Sequence, residues 1–503
     1  MRSKDLAALL VRVEPTEIRG PLNQPIQGIA HDSRTIRPGF LFAALPGLQT
    51  DGHLFVEEAL SRGAIAVVHS WPLDTYRPGV TYVRVKQSRQ ALSRISSDFF
   101  DNPSRELPVV GVTGTDGKST TVWLVQQLLE AVGTPSGFIS TVQMKAQDAV
   151  QKNPFRQSTP EAHDVQAILR RMRVSGKRVA VLEATSHGLS SKTARLQDVH
   201  FTAAVFTNIT HEHLEFHGDF SQYRSDKANL FRSLSKGFGV VNIDDPNHTY
   251  FAQASTRPVF AYSLNDPQAD LYASEIKTDT RGSSLVLHFG AHAAATRLNL
   301  PGRFNVRNLL AATLTVSKLL GVAIQQLIPA MPCLSATTGR MHSVACGQPF
   351  RVIVDFAHTP SSFEEVMTLV KAHTQGRLIS VFVSAGERDT DKRPLQGAVA
   401  SRHSDVVVLT DEDPRREDRV KILQDIGVGC RGMRERVDLF YEPDRRRAIE
   451  LALGVARPGD SVLLLGKGHE ETIITASGPM PWNEIREAES ILGRLGYHPR
   501  VDP

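Results

Sequence analysis

Residues 111–121 read GVTGTDGKSTT, and this stretch indicates the fold class of the 503-residue chain. An apolar run, Leu107–Val112, comes directly before it, and a run with helical spacing, Val122–Val132, comes directly after it. A strand, a glycine-rich turn and a helix that opens on Lys-Ser-Thr form the arrangement that binds nucleotide phosphates, because free backbone N–H groups and the positive end of the helix dipole face the phosphate oxygens. The alternative is a surface turn that merely contains Lys-Ser. We therefore predict a site for ATP or GTP.

Four residues of this loop have a physical role in that prediction. Gly114 and Gly117 leave the backbone N–H groups free to face the phosphates, Lys118 supplies a mobile cation, and the Ser119 hydroxyl can ligate Mg²⁺. The pattern is G-T-x-G-K-[S/T]-T, which is shorter than the eight-residue phosphate loop because Val112 stands where that loop begins with glycine.

Composition excludes several classes of protein. Hydrophobic residues make up 41% and charged residues 22%, which is ordinary for a soluble globular enzyme. The three cysteines lack paired spacing, so they predict neither a disulfide framework nor a four-cysteine zinc site and fit a reducing cytoplasm. We expect no signal peptide, no membrane insertion and a cytoplasmic location, since no apolar run approaches membrane-spanning length. The net charge of +5 comes without a dense basic run, so we expect no nucleic-acid partner.

The succession of apolar, helical and turn-rich runs along the sequence predicts an α/β fold with three domains. Residues 1–105 mix short strand-like and helical runs with turn-rich loops and predict a small α/β module. Residues 106–335 begin with the phosphate loop and predict a central ATPase domain with a mostly parallel sheet. In residues 336–503 four apolar runs each lead into a charged or glycine-rich loop, which predicts a Rossmann-like domain with its loops at one sheet edge. The alternative for the charged segment Glu412–Arg419 is solvated surface.

Several motifs together resemble one family, the ATP-dependent Mur ligases of peptidoglycan synthesis, and within it the type that adds the third amino acid (the MurE type). They follow the family order along nearly the whole chain: DSRTIRPGFLFAALPG, VTGTDGKSTT, STPEAHDVQ, EATSHGL, FTNITHEHLEFHGDFSQYRSDKANLF, GRFNVRNLLAA, TTGRM, VDFAHTP, GERDTDKRP, TDEDPRRED and LLLGKGHE.

The resemblance implies an amide ligase of cell-wall synthesis. ATP would phosphorylate the γ-carboxylate of D-glutamate in UDP-N-acetylmuramoyl-L-alanyl-D-glutamate, and the amine of a free amino acid would attack the acyl phosphate. Such chemistry depends mostly on positioning and on charge neutralisation around the γ-phosphate. The implied partners are the UDP-muramoyl dipeptide and the amino acid, the implied cofactors are ATP and Mg²⁺, and we expect a monomer.

The resemblance also assigns residues to the ATP and metal sites. Lys118, Glu183, His213 and Lys227 would be catalytic, and Ser119, Glu183, His213 and Lys227, the last as a carbamate, would ligate magnesium. Three of them have an alternative: Glu183 as an exposed acid, His213 as a helix-capping or hydrogen-bonding histidine, and Lys227 as a surface lysine. The triphosphate would lie on these loop residues: Gly114, Thr115, Asp116, Gly117, Lys118, Ser119 and Thr120.

Adenosine and ribose contacts would come from outside this loop. The resemblance implies Asn308, together with Arg340 and Asp355 from the third domain, which would then close over ATP. The alternatives are that Asn308 is the N-cap of the helical run Leu309–Leu320 and that Asp355 only shapes a turn.

The matching positions for the UDP-muramoyl dipeptide lie in the first two domains. Ser33 and the loop after it would contact uridine, and residues around STP and EATS would contact the muramoyl peptide. The implied set is Ser33, Leu48, Gln49, Thr50, Gln157, Ser158, Thr159, Thr185 and Arg195. The segment before Arg195 is about two residues longer than in many relatives.

The incoming amino acid would be selected by loops of the third domain. The implied set is Arg388, Glu412, Asp413, Pro414, Arg415, Gly466 and Glu470. Diaminopimelate-adding members usually have Asp-Asn-Pro-Arg where this chain has Glu412-Asp413-Pro414-Arg415. Arg415 could clamp the second carboxylate of diaminopimelate, whereas the extra charge of Asp413 would favour the ammonium of lysine or ornithine. The amino acid therefore stays open.

The chain departs from the family pattern elsewhere, and other functions have to be weighed. Asp116, Ser119 and Thr185 stand for the usual Asn, Thr and Ser, and Asp116 adds a negative charge near the phosphates. The alternative functions are a sister ligase (another Mur step or folylpolyglutamate synthase), a nucleotide-gated scaffold and a phosphotransferase. The long first domain disfavours the folate enzyme, and a scaffold would not need Glu183, His213 and Lys227 together.

Overall fold

The structure is a computed structural model that describes residues 3–47, 50–155 and 157–498. Its strands form three large sheets of five, eleven and six strands and two small antiparallel pairs. Each large sheet lies inside one of the three predicted segments, and we keep the boundaries near residues 105 and 335 as a proposal.

The first segment contains a five-stranded sheet in the order β2-β7-β6-β5-β4, parallel except for β2. Short 3₁₀ turns cover Ser33–Thr35, Gly52–Phe55 and Pro103–Arg105. Its other elements are β1 (Lys4–Asp5), α1 (Leu6–Leu9), β2 (Pro15–Arg19), β3 (Pro25–Ile26), β4 (Gly28–Ala30), β5 (Phe40–Ala43), α2 (Val56–Ser61), β6 (Ala64–His69), β7 (Thr81–Val85) and α3 (Ser88–Phe99).

The central segment contains the eleven-stranded sheet in the order β11-β10-β9-β12-β8-β13-β14-β15-β16-β17-β18. Its elements are β8 (Val109–Thr113), α4 (Lys118–Ala131), β9 (Ser136–Ile139), β10 (Gln143–Lys145), β11 (Gln151–Lys152), α5 (Ala162–Val174), β12 (Val179–Glu183), α6 (Ser186–Leu189), β13 (Ala203–Phe206), α7 (Leu214–His217), α8 (Phe220–Arg232), β14 (Phe238–Asn242), α9 (His248–Ala254), β15 (Val259–Ser263), β16 (Leu271–Asp279), β17 (Gly282–Phe289), β18 (His292–Leu298), α10 (Arg303–Leu320) and 3₁₀ turns at Ile324–Gln326 and Ile328–Cys333.

Strand β8 lies inside this sheet, between the parallel strands β12 and β13. All five of its residues are buried, because parallel strands with helices on both faces expose neither side to water. Helices α4 and α10 share one apolar core on the sheet, in which Val122 and Leu129 join Leu309 and Leu310. The phosphate loop therefore starts from a rigid strand and ends on a rigid helix.

The third segment contains the six-stranded sheet in the order β19-β20-β24-β21-β22-β23. Its elements are β19 (His342–Val344), β20 (Arg351–Asp355), α11 (Pro360–Ala372), β21 (Leu378–Phe382), α12 (Lys392–His403), β22 (Val406–Leu409), α13 (Arg419–Gly427), β23 (Leu439–Tyr441), α14 (Arg445–Val455), β24 (Ser461–Leu465), β25 (Thr472–Thr475), β26 (Gly478–Pro481) and α15 (Glu484–Arg494).

The four predicted strands of the third segment are neighbours in this sheet. β20, β24, β21 and β22 pair in parallel, so the loops that follow them lie at one edge, as the sequence predicted. Among the described residues no single helix is long and apolar enough to cross a membrane, and one bent pair, α10 with Ile324–Cys333, reaches that length only across a 114° break.

Candidate active site

The phosphate loop is packed too tightly to accept side chains at its two glycines. Gly114 has φ +151° and Gly117 has φ +83°, and Gly117 directly precedes the first residue of α4. A Cβ atom at Gly114 would lie 1.9 Å from the Thr207 hydroxyl oxygen, and one at Gly117 would lie 2.4 Å from Asn308 Oδ1. The loop thus turns between β13 and α10 and opens the N-terminus of α4, which is a structural requirement for binding phosphate.

Lys118 and Ser119 at the start of α4 both reach towards Glu183 at the end of β12. The Ser119 hydroxyl donates to Glu183 Oε2 over 2.9 Å, and Lys118 Nζ lies 4.0 Å from Glu183 Oε1. Lys118 donates its only hydrogen bond among the described residues to the Thr115 carbonyl, at 2.8 Å. Among the described residues, its ammonium is therefore held over the loop by a single hydrogen bond to an uncharged group.

Glu183 is 3% exposed, so the alternative of an exposed acid is wrong. Thr141 supports its carboxylate through its backbone N–H, 2.9 Å from Oε2, and through its hydroxyl, 3.0 Å from Oε1. The same hydroxyl is 2.7 Å from Ser158 Oγ, which connects the carboxylate to the predicted peptide-binding segment. Thr141 follows β9 without a recognisable motif, and the sequence reasoning missed it.

Lys227 lies on α8 beneath the phosphate loop. It is 1% exposed, so the alternative of a surface lysine is wrong. Its Nζ donates to the Gly114 carbonyl over 2.6 Å and lies 4.6 Å from the centre of the Tyr223 ring. Burial, followed by the charge of Lys118, holds the pKa of Lys227 well below its usual range. The amine is therefore poised to be neutral next to the loop.

His213 occupies the N-cap position of α7 with φ +59°, but its side chain makes no capping hydrogen bond. Its Nδ1 lies 3.7 Å from Glu215 Oε1, beyond hydrogen-bond distance, and it has no partner in the part of the chain that the structure describes. Burial lowers its pKa, which leaves a neutral imidazole with an available nitrogen.

The side chains of Ser119, Glu183 and His213 offer ligand atoms that suit a divalent cation. Ser119 and Glu183 place two oxygens side by side, and the buried nitrogen of His213 lacks a partner. Over the described ranges, no three His, Cys, Asp or Glu side chains converge to hold a metal ion. The predicted set differs from such a group because only Glu183 and His213 belong to those residue types.

Asp116 joins the phosphate loop to the third segment. Its Oδ2 accepts a hydrogen bond from the Thr359 hydroxyl over 3.2 Å, and Thr359 also caps α11. Its backbone N–H donates to Asn208 Oδ1 over 2.9 Å. Burial, partly offset by Lys118, raises the pKa of the Asp116 carboxyl to about 6. Thr359 is part of the DFAHTP motif, but its contact with the loop was not predicted.

Asp116→Asn is expected to stabilise the protein at pH 8 more than at pH 4.5. A carboxyl with a folded pKa of about 6 and an ordinary value of 3.8 costs no stability when both states are protonated, and its cost grows as pH rises between these values. Since the group is only partly buried, we expect about 1–2 kcal/mol, seen as a rise in melting temperature of about 2 °C or more at pH 8. Equal shifts at both pH values would contradict the elevated pKa.

The predicted adenosine residues lie around this junction. Asn308 is the sixth residue of α10, which begins at Arg303, so the N-cap alternative is wrong; its Oδ1 accepts from the Thr121 hydroxyl at 3.4 Å. The Arg340 guanidinium lies over the Phe356 ring at 4.6 Å. Asp355 accepts from the N–H groups of Met341 and Ala357, both at 2.7 Å, so it does shape a turn. Its contact with ribose stays a prediction.

The predicted peptide-binding residues are partly drawn together at the end of β12. The Thr159 hydroxyl donates to the Glu183 carbonyl over 2.8 Å and lies 2.9 Å from the Thr185 hydroxyl, while Gln157 is exposed. Arg195 is 8% exposed and donates to Glu161 Oε1 at 3.1 Å and to the Thr159 carbonyl at 3.2 Å. Arg195 therefore belongs to this group despite the longer segment before it.

The predicted uridine residues lie apart from the phosphate loop, in the first segment. The Ser33 hydroxyl donates to Glu58 Oε2 over 2.8 Å, and Thr50 is exposed. Leu48 and Gln49 lie outside the described residues. The role of these residues stays a prediction.

The predicted amino-acid pocket contains a buried ion cluster. Lys467 is fully buried and places its Nζ 2.9 Å from Asp413 Oδ1 and 2.5 Å from Glu470 Oε2. Asp413 also accepts from the Ile474 N–H at 3.0 Å. The charge of Asp413 is thus neutralised within the protein, which removes the reason given for a preference for a plain ammonium side chain. Lys467 lies in the GKGHE motif, yet its part in this cluster was not predicted.

Lys467→Met is expected to destabilise the third segment by about 3 kcal/mol. The change leaves Asp413 and Glu470 buried near each other without their cation, and breaking a buried pair from one side is costly. Calorimetry should show the transition of this segment lowered by roughly 6–12 °C. Lys421→Met is the matched control, since it breaks only an exposed pair with Asp425, worth about 0.5 kcal/mol or less. Equal shifts for the two variants would contradict this account.

Other residues of the predicted pocket keep free polar atoms. Glu412, near Gly466, has no hydrogen-bond partner among the described residues, and burial raises its pKa above its usual range. Arg415 has φ +56°, its Nε is buried without a partner in the described ranges, and with Pro414 it lines a cleft of about 480 Å³. Ile473 and Trp482 contribute apolar surface to the wall of the same cleft.

Two ion pairs connect the predicted amino-acid loop to the segment that carries His213. Arg388 Nη1 lies 3.2 Å from Glu215 Oε1, and Lys392 Nζ lies 3.1 Å from Glu212 Oε1 in a buried contact. The stretches THEHLE and GERDTDKRP contain all four residues, but only Arg388 was predicted to be functional. The third segment thus contacts the central one around the phosphate loop. The proposed contacts of Arg340 and Asp355 with ATP require this proximity.

Comparisons with known proteins agree with this arrangement. The family models described as the Mur ligase family catalytic domain, the Mur ligase middle domain and the Mur ligase glutamate ligase domain match residues 25–100, 112–316 and 339–468. A UDP-N-acetylmuramyl-tripeptide synthetase from Borreliella afzelii is 45% identical over 472 residues, which cover 93% of this chain and 93% of that protein. The chain belongs to the Mur ligase family. It is therefore an ATP-dependent ligase, as the sequence predicted.

Two further relatives extend over most of this Mur ligase. A UDP-N-acetylmuramyl-tripeptide synthetase from Roseiflexus sp. (strain RS-1) is 45% identical over 493 residues, covering 95% of this chain and 96% of that protein. A solved structure of a UDP-N-acetylmuramoyl-L-alanyl-D-glutamate–2,6-diaminopimelate ligase aligns with a TM-score of 0.64 at 28% identity, covering 98% of this chain and 100% of that chain. The predicted α/β fold of the Mur ligases is confirmed.

Proposed function

We propose that this Mur ligase joins a third amino acid to UDP-N-acetylmuramoyl-L-alanyl-D-glutamate during peptidoglycan synthesis. Relatives that are 45% identical over nearly the full chain are named tripeptide synthetases, which supports this step rather than another Mur step or folylpolyglutamate synthase. The observation that carries the proposal is the convergence of Lys118, Glu183 and Lys227 on the phosphate loop, which Thr359 of the third segment contacts through Asp116.

The residues of the phosphate loop would hold ATP for attack by the substrate carboxylate. Backbone N–H groups at the start of α4 and the Lys118 ammonium face the space in which the β- and γ-phosphates would lie. A carboxylate oxygen then attacks the γ-phosphorus, ADP leaves, and the acyl phosphate forms. The free amine attacks the acyl carbon, phosphate leaves with that carboxylate oxygen, and the amine releases a proton. Fixed positive charge near the γ-phosphate lowers the barrier for the first step.

Ser119, Glu183, His213 and a carbamylated Lys227 would hold Mg²⁺. When bound, the metal ion neutralises charge on the phosphates and the substrate carboxylate. Carbamylation requires a neutral amine, because carbon dioxide adds to the free electron pair of nitrogen and a proton is released. Burial of the Lys227 Nζ against the Gly114 carbonyl favours such a neutral amine. Carbamylation would then turn the side chain from a cation into an anion that can ligate a metal ion.

The third segment would bring the amino acid to the acyl phosphate. Asn308, Arg340 and Asp355 remain the proposed contacts to adenosine and ribose, and Arg388, Glu412, Arg415 and Glu470 the proposed contacts to the amino acid. Arg415 supports diaminopimelate because its buried Nε has no hydrogen-bond partner among the described residues. Glu412 supports an ammonium because its carboxylate lies beside Gly466 and forms no hydrogen bond with the described residues. Both groups together suit a diamino acid, and the monomeric state remains a prediction.

The experiment is phosphate release from ATP with the UDP-muramoyl dipeptide present and lysine, ornithine or meso-diaminopimelate added singly. We expect release that depends on both the dipeptide and one amino acid. Selection of diaminopimelate would assign Arg415 as its carboxylate clamp, and selection of lysine or ornithine would assign Glu412 as the ammonium acceptor. Release with none of the three would contradict the proposal, and the substrates of the sister ligases would then be tested.

A further inference from the structure

A buried arginine joins the two loops that carry most of the proposed amino-acid contacts. Arg445, the first residue of α14, is 2% exposed. Its Nη1 donates to the Asp411 carbonyl over 2.8 Å, and its Nη2 donates to the Leu465 carbonyl over 2.7 Å. Asp411 directly precedes Glu412, and Leu465 directly precedes Gly466. One guanidinium therefore holds the main chain at the point where each loop begins.

The sheet itself does not connect these two loops. They follow β22 and β24, and β21 lies between those strands, paired in parallel with both. No strand-to-strand hydrogen bond therefore sets the distance between the two main chains. Lys467 joins the loops through the side chain of Asp413, whereas Arg445 holds their carbonyl groups. The spacing of the two main chains thus depends on Arg445.

Glu484 fixes the orientation of this guanidinium. It is the first residue of α15, is 1% exposed and accepts hydrogen bonds from Arg445 Nε at 2.9 Å and from Arg445 Nη2 at 2.6 Å. The Trp482 indole N–H donates to the same carboxylate over 2.7 Å. A two-point contact between an arginine and a carboxylate fixes the plane of the guanidinium. Arg445 therefore has little freedom to release either carbonyl.

Stability alone does not account for a charged pair at this position. A cation in the first turn of a helix opposes the helix dipole, and a buried ion pair is often no more stable than an apolar pair of similar size. An apolar pair could not donate to the Asp411 and Leu465 carbonyls. Departures from local rules of this kind are expected at functional sites. The main-chain contacts are thus the property that distinguishes Arg445 from a residue that only fills the core.

Small shifts of the two loops would change the pocket. A Cβ atom at Gly466 would lie 3.3 Å from Glu412 Oε2, so the loops are nearly in contact at this point. Arg415 and Arg445 line the same cleft of about 480 Å³. A displacement of about 1 Å in the groups that position a substrate can cost a factor of about one hundred in rate. The relative position of the loops therefore matters for an amino acid bound between them.

We propose that Arg445 is a positioning residue that sets the distance between the two loops of the amino-acid pocket. It acts through the main chain of these loops and not on the substrate itself. This role rests on the proposed function, since it concerns recognition of the incoming amino acid. The competing interpretation is that Arg445 only stabilises the third segment.

The test compares the steady-state kinetics of the unmodified full chain with those of the double variant Arg445→Met, Glu484→Gln. The double change leaves no buried charge and keeps an acceptor for the Trp482 indole, so we expect it to fold. KM for the amino acid that supports turnover should rise about tenfold, and KM for ATP and for the dipeptide should change less than about twofold, because only the amino-acid loops lose their tether. Arg445→Lys keeps the charge but not the fork of donors, so it should raise the same KM about threefold. Arg445→Lys supplies the same comparisons if the double variant does not fold.

Arg377→Met is the matched control. Arg377 Nη2 donates to the Val455 carbonyl over 2.7 Å and to Asp460 Oδ2 over 2.8 Å, directly before β21 and therefore at the opposite edge of the same sheet. The variant loses comparable contacts in the third segment, so its melting temperature should fall while all three KM values change less than about twofold.

Hydrogen exchange separates this role from the proposed function. The amide groups of residues 412–416 and 466–471 should exchange about tenfold faster in the double variant and at an unchanged rate in Arg377→Met. Equal KM rises for all three substrates would overturn the proposal, and so would an amino-acid KM that rises as much in Arg377→Met as in the double variant. Unchanged exchange of both loops, or an unchanged KM in Arg445→Lys, would also overturn it. If no amino acid supports turnover of the unmodified chain, the proposed function is refuted, while exchange still decides whether Arg445 holds the loops.

Discussion

Lys118→Ala is expected to lower kcat by about ten-thousandfold or more. The Lys118 ammonium lies above the phosphate loop and, within the described part of the chain, donates only to the Thr115 carbonyl. It stands 4.0 Å from Glu183, so its charge is available to the γ-phosphate. A fixed cation at the position where charge moves during phosphoryl transfer contributes several kcal/mol of transition-state stabilisation. Phosphate release under saturating dipeptide and amino acid measures the loss.

The control for this variant is Lys118→Arg together with the thermal transition of each protein. Alanine removes one hydrogen bond to a carbonyl, so the melting temperature should change by less than about 2 °C. Arginine keeps the charge in a wider group and should recover part of the lost activity. An alanine variant that retains more than a tenth of the activity would contradict the assignment of Lys118 to the γ-phosphate.

Lys227→Ala is expected to lower kcat by about a thousandfold and to respond to added carboxylates. Lys227 is 1% exposed and contacts the Gly114 carbonyl, so its removal opens a space beneath the loop of the size of the side chain. A short-chain carboxylate such as acetate or propionate can enter this space and replace the negative group of a carbamate. Activity as a function of carboxylate concentration measures the rescue.

Two controls make the Lys227 result specific. Chloride at the same ionic strength should not rescue the variant, and carboxylates should not stimulate Lys118→Ala, whose missing charge is positive. Mass spectrometry of the intact protein without substitutions, kept in bicarbonate, should show a carbamate as an increase of about 44 Da, the mass of one carbon dioxide. Full activity of Lys227→Ala without additives would refute the carbamate proposal.

The sequence was sufficient to predict the elements whose cause lies in a short stretch of the chain. The apolar runs 179–182 and 406–409 are strands, at Val179–Glu183 and Val406–Leu409, because parallel strands covered on both faces must be apolar. Glycines at 114 and 117 and Lys-Ser at 118–119 predicted the phosphate loop, since few other residue types permit that backbone and charge. The long antiparallel strands β16, β17 and β18 were not predicted, because their alternation carries no motif.

The points that the sequence left open concern side-chain environment, which one sequence does not contain. Lys227 on a helix and Glu183 at a strand end have ordinary surface alternatives, and only tertiary packing shows that both are buried. Asp413 looked from the sequence like a free negative charge, whereas Lys467, 54 residues later in the chain, pairs with it. The helix of Asn308 begins six residues earlier than predicted, since Gly302 rather than Asn308 precedes its first turn.

The measurement that tests the central claim most directly is the transfer of ¹⁸O from substrate to phosphate. The UDP-muramoyl dipeptide is labelled with ¹⁸O in the γ-carboxylate of D-glutamate and incubated with ATP and the amino acid that supports turnover. If the carboxylate attacks the γ-phosphorus and later leaves as phosphate, each released phosphate carries one ¹⁸O atom and the product carries the other in its new amide. Unlabelled phosphate released together with amide product would contradict the acyl-phosphate mechanism.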